Sequence, residues 1–251
     1  MKGPLSYVGG NTRIAAQIIA LFPKHKTYVE AFAGGAQVLF RKEPSSIEVL
    51  NDLDGELVNF YRICQAHYQE LIRSLNFVLL SRQWYRLLGN TPPENLTDIQ
   101  RAARYFMIQK CAFGGLVARH NFAAHVTEPP TFTPKRIPQM IRSSYERLQS
   151  VQIENLPFEK VLRKYDRPTT FFYLDPPYHG IKLYNHNFTD DDFMRLKDCL
   201  AALKGKFLLS INDDPFIRSL FSGFKIEQIS FFYSLQRHAN RRYSELLIRN
   251  Y

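Results

Sequence analysis

Phe171-Phe172-Tyr173-Leu174 runs without a break into Asp175-Pro176-Pro177-Tyr178. Four consecutive large apolar residues bounded by a proline turn read as a strand covered on both faces, as in a parallel sheet; a strand with one wet face would alternate. The two prolines then restrict the backbone, since each fixes φ and removes an N–H donor. Behind the buried strand the turn offers a carboxylate on Asp175, the carbonyl of Pro176 and the ring of Tyr178. A plain strand followed by a proline-rich turn would account for Asp-Pro-Pro alone. Adding the strand before it and the tyrosine after it favours a functional reading.

Those parts suit one difficult reaction, the methylation of an aromatic exocyclic amine. The lone pair of such an amine is delocalised into its ring, so acceptors must grip the N–H hydrogens and favour a pyramidal nitrogen. Asp175 and the Pro176 carbonyl are two such acceptors, and Tyr178 offers a stacking face for an extruded base. By itself the tetrapeptide does not say which amine reacts. Adenine N6, cytosine N4, and protein or RNA amines all remain open, although Ser commonly replaces Asp for cytosine and Asn-Pro-Pro-Tyr is more usual for protein. Covalent cytosine C5 chemistry typically uses a Pro-Cys pair, and none of Cys64, Cys111 and Cys199 follows a proline.

Around this strand the chain alternates strand and helix. Helical spacing of Ile14, Ile18, Ile19 and Phe22 predicts a helix over 12–22. A short strand is expected over 26–31, then a Gly34-Gly35 turn and a helix through Phe40. The next strand, 47–50, ends at Asn51-Asp52, and 53–80 reads as helix with one or more breaks. From 81 to 150 the alternation stops, and Pro92-Pro93, Gly114-Gly115 and Pro129-Pro130 punctuate helices and short extended pieces. Strands resume near 151–154, 170–174, 206–211, 225–231 and 244–249, with helices near 189–202 and 214–221. The reading is an α/β domain that holds an inserted module. No internal repeat or low-complexity segment is seen.

Two features on this framework suit a nucleoside. Tyr28 to Gly35 is a strand entering a glycine turn, and glycines let the backbone approach a ligand where a Cβ would obstruct it. Neither G-x-G-x-x-G nor a Walker motif is present, so phosphate binding is the weaker reading. Asp52 ends the next strand, about twenty residues on, where an acid accepts hydrogen bonds from both ribose hydroxyls. Its competing role is a helix N-cap.

Composition bears on the partner. The 251 residues are 45% hydrophobic, ample for a core, and 33 Lys and Arg against 23 Asp and Glu give a net charge of +10. That balance attracts polyanions, with anionic membranes as a competitor. Ile14 to Phe22 is too short and too interrupted to span a bilayer, and no signal peptide is apparent. Three isolated cysteines suggest neither a disulfide framework nor a zinc site; a reducing, cytoplasmic setting and no metal are expected.

The matching segments together identify the chain as resembling the Dam-type DNA adenine N6-methyltransferases of the alpha group, over nearly its whole length from Tyr7-Val8-Gly9-Gly10 to about Ile248. Asp175 to Tyr178 matches the catalytic D-P-P-Y, Glu30 to Gly35 the F-x-G-G cofactor loop, and Asn51-Asp52-Leu53 the ribose-binding acid. Val151 to Phe158 resembles the strand and turn whose aromatic packs beside the cofactor adenine. The resemblance implies S-adenosyl-L-methionine as donor and a seven-stranded Rossmann-like sheet. It assigns Asp175, Pro176 and Tyr178 to catalysis, and Tyr7, Gly10, Asn11, Glu30, Phe32, Gly34, Gly35, Asp52, Phe158 and Asp175 to the cofactor. Asn11 stands where the family usually has Lys, with Arg13 two positions on, and Pro157 where an acid is common. A DNA-binding homologue with weak turnover is therefore an alternative, alongside a cytosine N4-methyltransferase.

The resemblance divides the chain into a catalytic, cofactor-binding domain, 1–60 and 150–251, and a mostly helical target-recognition insertion, 61–149. Residues 101–150 carry eight Lys or Arg against Glu128 and Glu146, the local excess that phosphate contacts require. Phe106 to Phe122 resembles the family's segment before its DNA-reading hairpin, which implies Lys110, Arg119 and Asn121, with Tyr178, as contacts to double-stranded DNA. The Gly-x-Phe-Asn continuation expected after Asn121 is missing, so no recognition sequence is assigned. A bacterial or phage-encoded protein with no membrane or obligate protein partner is expected.

Overall fold

The computed structural model describes residues 1–5, 14–76, 78, 81–111, 133–181, 186–232 and 242–251. Its centre is the strand quoted first. Thr170–Leu174 forms β4, buried at every position. Phe171 and Tyr173 enter one hydrophobic cluster while Phe172 and Leu174 enter another on the opposite face. The run is continuously apolar because both faces of the sheet are covered.

The strands are β1 (Thr27–Glu30), β2 (Ile47–Asn51), β3 (Val151–Glu154), β4, β5 (Lys206–Asn212), β6 (Lys225–Phe232) and β7 (Arg242–Arg249). They form one seven-stranded sheet in the order β3-β2-β1-β4-β5-β7-β6. All pairings are parallel except those of β7, which runs antiparallel to both β5 and β6. This is the seven-stranded Rossmann-like sheet that the resemblance implied. The strand order reverses between β1 and β4, and ligands of open α/β sheets lie at the carboxyl ends of strands flanking such a switch point.

Helices cover both faces. Helices α1 (Ala15–Ala20), α2 (Gly55–Ala66), α3 (Tyr68–Leu75), α4 (Arg82–Asn90), α5 (Asp98–Cys111) and α6 (Ile137–Leu148) contribute to the first cluster. Helices α7 (Phe158–Tyr165), α8 (Asp190–Ala201) and α9 (Pro215–Leu220) contribute to the second. Local chemistry marks several starts. Asp54 accepts from Glu56 and Leu57 N–H at the start of α2, and Thr189 with Asp192 forms a capping box on α8. Asp214 caps α9, with Pro215 at its first position. The long helical stretch expected over 53–80 breaks at His67, which leaves helical geometry with φ −136° and ψ 39°.

Two expectations fail locally. No helix follows Gly34-Gly35: residues 34–42 form consecutive turns, because Gly34 (φ 44°) and Ala36 (φ 47°) are both left-handed. An αR helix cannot pass through such positions. Conversely, α7 was not anticipated between β3 and β4. Phe158, Val161, Leu162 and Tyr165 have the i, i+3, i+4, i+7 spacing of an amphipathic helix, and the first three are buried.

The middle of the chain is helical wherever it is described between 81 and 150, with short 3₁₀ turns at Pro93–Asn95 and Pro134–Arg136. A buried ionic group ties α6 to the sheet. Glu48 on β2 pairs with Lys42 at 2.5 Å and with Arg147 of α6 at 2.5 Å, and Arg147 also donates to the Leu39 carbonyl. Among the described residues, no helix is long and apolar enough to cross a membrane.

Candidate active site

A cavity of about 500 Å³ opens at the switch point. Its wall is built from the carboxyl ends of four adjacent strands: Ala31 to Val38 after β1, Asn51 to Asp54 at and after β2, Leu156 to Glu159 after β3, and Asp175 and Pro177 after β4. Buried Asn51 staples three of these ends. Its amide donates to the carbonyls of Ala31 (2.9 Å) and Leu156 (3.0 Å), and its oxygen accepts from Leu156 N–H at 2.9 Å. Tyr61 of α2 donates to the Gly34 carbonyl at 2.8 Å, which fixes the glycine turn from behind.

Asp52 is part of that wall. One carboxylate oxygen accepts from Gly34 N–H at 3.0 Å and the other from Asp54 N–H at 2.9 Å. The cap of α2 is Asp54, so Asp52 does not serve as the helix N-cap. Burial raises the Asp52 pKa to about 6; the two N–H groups and nearby His186 pull it down, and the Asp54 charge pushes it up. Each carboxylate oxygen still has a lone pair to offer. Glu30 lies at the floor, almost wholly buried, where one oxygen accepts from Tyr28 Oη (2.8 Å) and Leu39 N–H (3.0 Å). Burial outweighs these contacts and the nearby Lys42, and lifts its pKa to about 7.

Three rings form an apolar flank. Phe32 lies 5.9 Å from Phe158 and 5.5 Å from Phe188, and Phe158 lies 5.5 Å from Phe188. Phe32 and Phe158 were anticipated. Phe188, with His186 and Asn187, was not, although all three line the cavity. They come from the segment after the catalytic turn, and no local pattern shows that it folds back over β1 and β3. Glu159 and Arg195 stand at the rim, 3.1 Å apart, close to Pro157.

The tetrapeptide divides between two environments. Asp175 and Pro177 line the cavity, whereas Pro176 is buried and Tyr178 turns aside to donate to Glu245 of β7 at 3.1 Å. His179 is fastened next to it. Its N–H donates to Asn212 Oδ1 at 3.0 Å, its carbonyl accepts from the Asn212 amide at 3.2 Å, and its ring stacks on Phe216.

A polar acid able to take ribose hydroxyls, a close-approach glycine turn and an aromatic flank share one pocket with Asp175. These residues fit the nucleoside and sulfonium of S-adenosylmethionine. The family model of the D12 class N6 adenine-specific DNA methyltransferases matches residues 7–235. The chain belongs to this family.

Similar proteins come from a bacterium, a Chlorella virus and a phage. The chain is 29% identical over 246 residues to the Type II methyltransferase M1.LlaDCHI of Lactococcus lactis subsp. cremoris, covering 89% of this chain and 85% of that one. It is 26% identical over 263 residues to the Type II methyltransferase M.CviBI of Paramecium bursaria Chlorella virus NC1A, along the full length of both. The DNA N-6-adenine-methyltransferase of Escherichia phage P1 is 26% identical over 245 residues, covering 89% of this chain and 32% of that longer one. The protein is thus a DNA adenine N6-methyltransferase with S-adenosylmethionine as methyl donor, and the cytosine N4 alternative falls away.

The remaining anticipated residues are scattered. Tyr7, Gly10, Asn11, Arg119 and Asn121 lie outside the described residues. Lys110 lies in the last turn of α5, half-buried, with its ammonium 5.8 Å from the Phe106 ring centre and its pKa lowered to about 8 by burial. Several basic residues of 101–150 serve the fold. Arg101 pairs with Glu56 and Asp98, Arg104 donates to the carbonyls of Leu88 and Gly89, and Arg147 is held by Glu48. Lys135, Arg136 and Arg142 are exposed.

Proposed function

We propose that the chain is a site-specific methyltransferase acting on duplex DNA by extruding one adenine. The observation that carries this reading is the shared wall of Asp52 and Asp175, which sets a nucleoside site beside the amine-gripping turn. Asp52 would take the ribose hydroxyls, Phe32 and Phe158 would cover the adenine of the donor, and Gly34 and Gly35 would let the backbone approach it. Glu30 supports that turn through Leu39, and Tyr7, Gly10 and Asn11 complete the cofactor set. S-adenosylmethionine, when bound, supplies a sulfonium methyl and leaves as a neutral thioether.

Asp175 and the Pro176 carbonyl accept hydrogen bonds from the two N–H groups of the adenine N6 amine, which localises its lone pair as the nitrogen becomes pyramidal; once N6 carries the methyl group, one of its protons passes by way of the Asp175 carboxylate to water. Tyr178 stacks on the extruded base and holds the amine toward Asp175. Positioning and placed acceptors supply most of the rate. We assign residues 1–60 and 150–251 to catalysis and 61–149 to target recognition, in a cytoplasmic protein. Lys110, Arg119 and Asn121 belong to the DNA contacts.

Incubation with labelled S-adenosylmethionine and unmethylated duplex DNA, followed by digestion to nucleosides, is expected to place the label in N6-methyl-2′-deoxyadenosine. Label in N4-methyl-2′-deoxycytidine, or DNA binding without transfer, would overturn the reading. Methylated-site sequencing then yields the target sequence.

The exposed cations are assigned to phosphate contact and the ion-paired ones to the fold. Lys135→Ala and Arg136→Ala are expected to weaken DNA binding across all sequences and to reduce the slope of log K against log salt by about 1 each. Arg147→Ala is expected to lower stability instead, by roughly 3 kcal/mol, because it strands the buried Glu48 carboxylate. Unchanged salt slopes for the first two would remove them from the DNA face.

A further inference from the structure

We infer that Glu245, with Ser210, is a positioning residue for methyl transfer: it sets the tilt of the Tyr178 ring from the β5–β7 strand pair. This deepens the reading of Tyr178 as the base-stacking platform and rests on it.

Three polar side chains project from one face of these strands toward the catalytic turn. Ser210 and Asn212 are two apart on β5, and Glu245 lies opposite Asn212 in the antiparallel register. Asn212 holds the backbone of His179 through both its N–H and its carbonyl. Glu245 holds the side chain before it: a single carboxyl oxygen, Oε1, accepts from Ser210 Oγ at 2.5 Å and from Tyr178 Oη at 3.1 Å. A backbone clamp at residue 179 and a tether at the ring's tip leave Tyr178 little freedom about χ1 and χ2. A stacking platform needs that restriction, since a tilted ring displaces the base and its amine from Asp175.

The placement is poor for stability alone. Glu245 is 2% exposed and Ser210 fully buried. Burial drives the Glu245 carboxyl above its usual range despite the bonds from Ser210 and Tyr178. Its second oxygen, Oε2, is buried without a hydrogen-bond partner among the described residues. A half-satisfied buried carboxyl costs free energy that an apolar side chain of similar volume would not. The geometry thus couples an energetically unfavourable group to one atom of the proposed catalytic machinery.

The test compares Glu245→Leu, Glu245→Gln, Tyr178→Phe and the Glu245→Leu/Tyr178→Phe pair for kcat, affinity for S-adenosylmethionine and thermal transition. Glu245→Leu and Tyr178→Phe are each expected to lower kcat about 10- to 100-fold, the scale of a sub-ångström to 1 Å misplacement. Donor affinity should stay within about twofold, with the melting temperature of Glu245→Leu unchanged or raised. The pair should lose no more than either single variant, as residues acting through one contact do. Glu245→Gln, whose carbonyl can still accept from Tyr178, should recover most of the loss.

Full kcat in Glu245→Leu, or additive losses in the pair, would overturn the inference. If Glu245→Leu does not fold, Tyr178→Phe decides alone, and wild-type kcat there overturns it. Tyr178→Ala separates the two levels. Full kcat in that variant sinks the stacking reading itself, whereas loss in Tyr178→Ala with none in Tyr178→Phe sinks only the role of Glu245.

Discussion

Asp175→Ala is expected to abolish methyl transfer, with kcat reduced by about 10³-fold or more while the fold persists. The size follows from what is removed: a preorganised charged acceptor at the atom where charge develops, an effect of about 10²–10³ even for a neutral donor in comparable sites. The fold persists because Asp175 follows the buried strand and is not part of it; Thr170–Leu174 keeps its packing on both faces. Asp175→Asn keeps an acceptor oxygen without the charge and should fall between Asp175→Ala and the wild type. Single-turnover measurements with prebound donor check this, and retained turnover in Asp175→Ala would remove Asp175 from the reaction.

The second large effect lies at the ribose. Asp52→Ala should weaken S-adenosylmethionine binding by about 100-fold or more, since hydrogen bonds to a charged group contribute about 1.5–3 kcal/mol each and two are lost. Its pH dependence has a definite sign. The Asp52 pKa in the empty protein is raised to about 6, so the carboxylate protonates as pH falls through that value and affinity should fall with it. Stability runs the other way: a raised carboxylate pKa stabilises the empty fold below its unfolded value, 3.8, and that contribution is lost as pH rises through about 6. Asp52→Asn should therefore bind the donor poorly, lose the pH dependence, and melt higher than wild type above pH 6. Calorimetric titrations at pH 5.5 and 7.5 read the first two, and thermal melts read the third. A pH-independent affinity in the wild type would exclude Asp52 from the site.

The candidate site was legible where it was local. Asp175, Gly34-Gly35 and Asp52 carry their signal in neighbouring residues and in the buried strands before them, and the structure brings them to one cavity. Glu245 carries none: in sequence it is one acid in the β7 pattern, and only strand pairing brings it 3.1 Å from a tyrosine 67 residues away. Phe188 is similar, since a single aromatic in a segment without periodicity gives no sign of the ring cluster it joins. The turns after Gly34 were misread as helix because propensity does not register the left-handed backbone of Ala36.

Composition implied a basic surface without saying which cations would form it. A count of Lys and Arg over 101–150 cannot separate Arg147, buried against Glu48, from exposed Lys135 and Arg136. That distinction depends on where each side chain ends after helices pack.

Short-range order follows from residue type, because period, proline and glycine act on the backbone within a few positions; these were enough for the alternation of strand and helix and for the buried strand that ends in the proline turn. Joining the strand ends into one cavity, tying Tyr178 to Glu245 and withdrawing half-buried cations from the surface all required contacts between residues far apart in the chain. Such contacts exist only once the sheet has closed and its two faces are covered, since burial and hydrogen-bond partners are properties of the packed molecule.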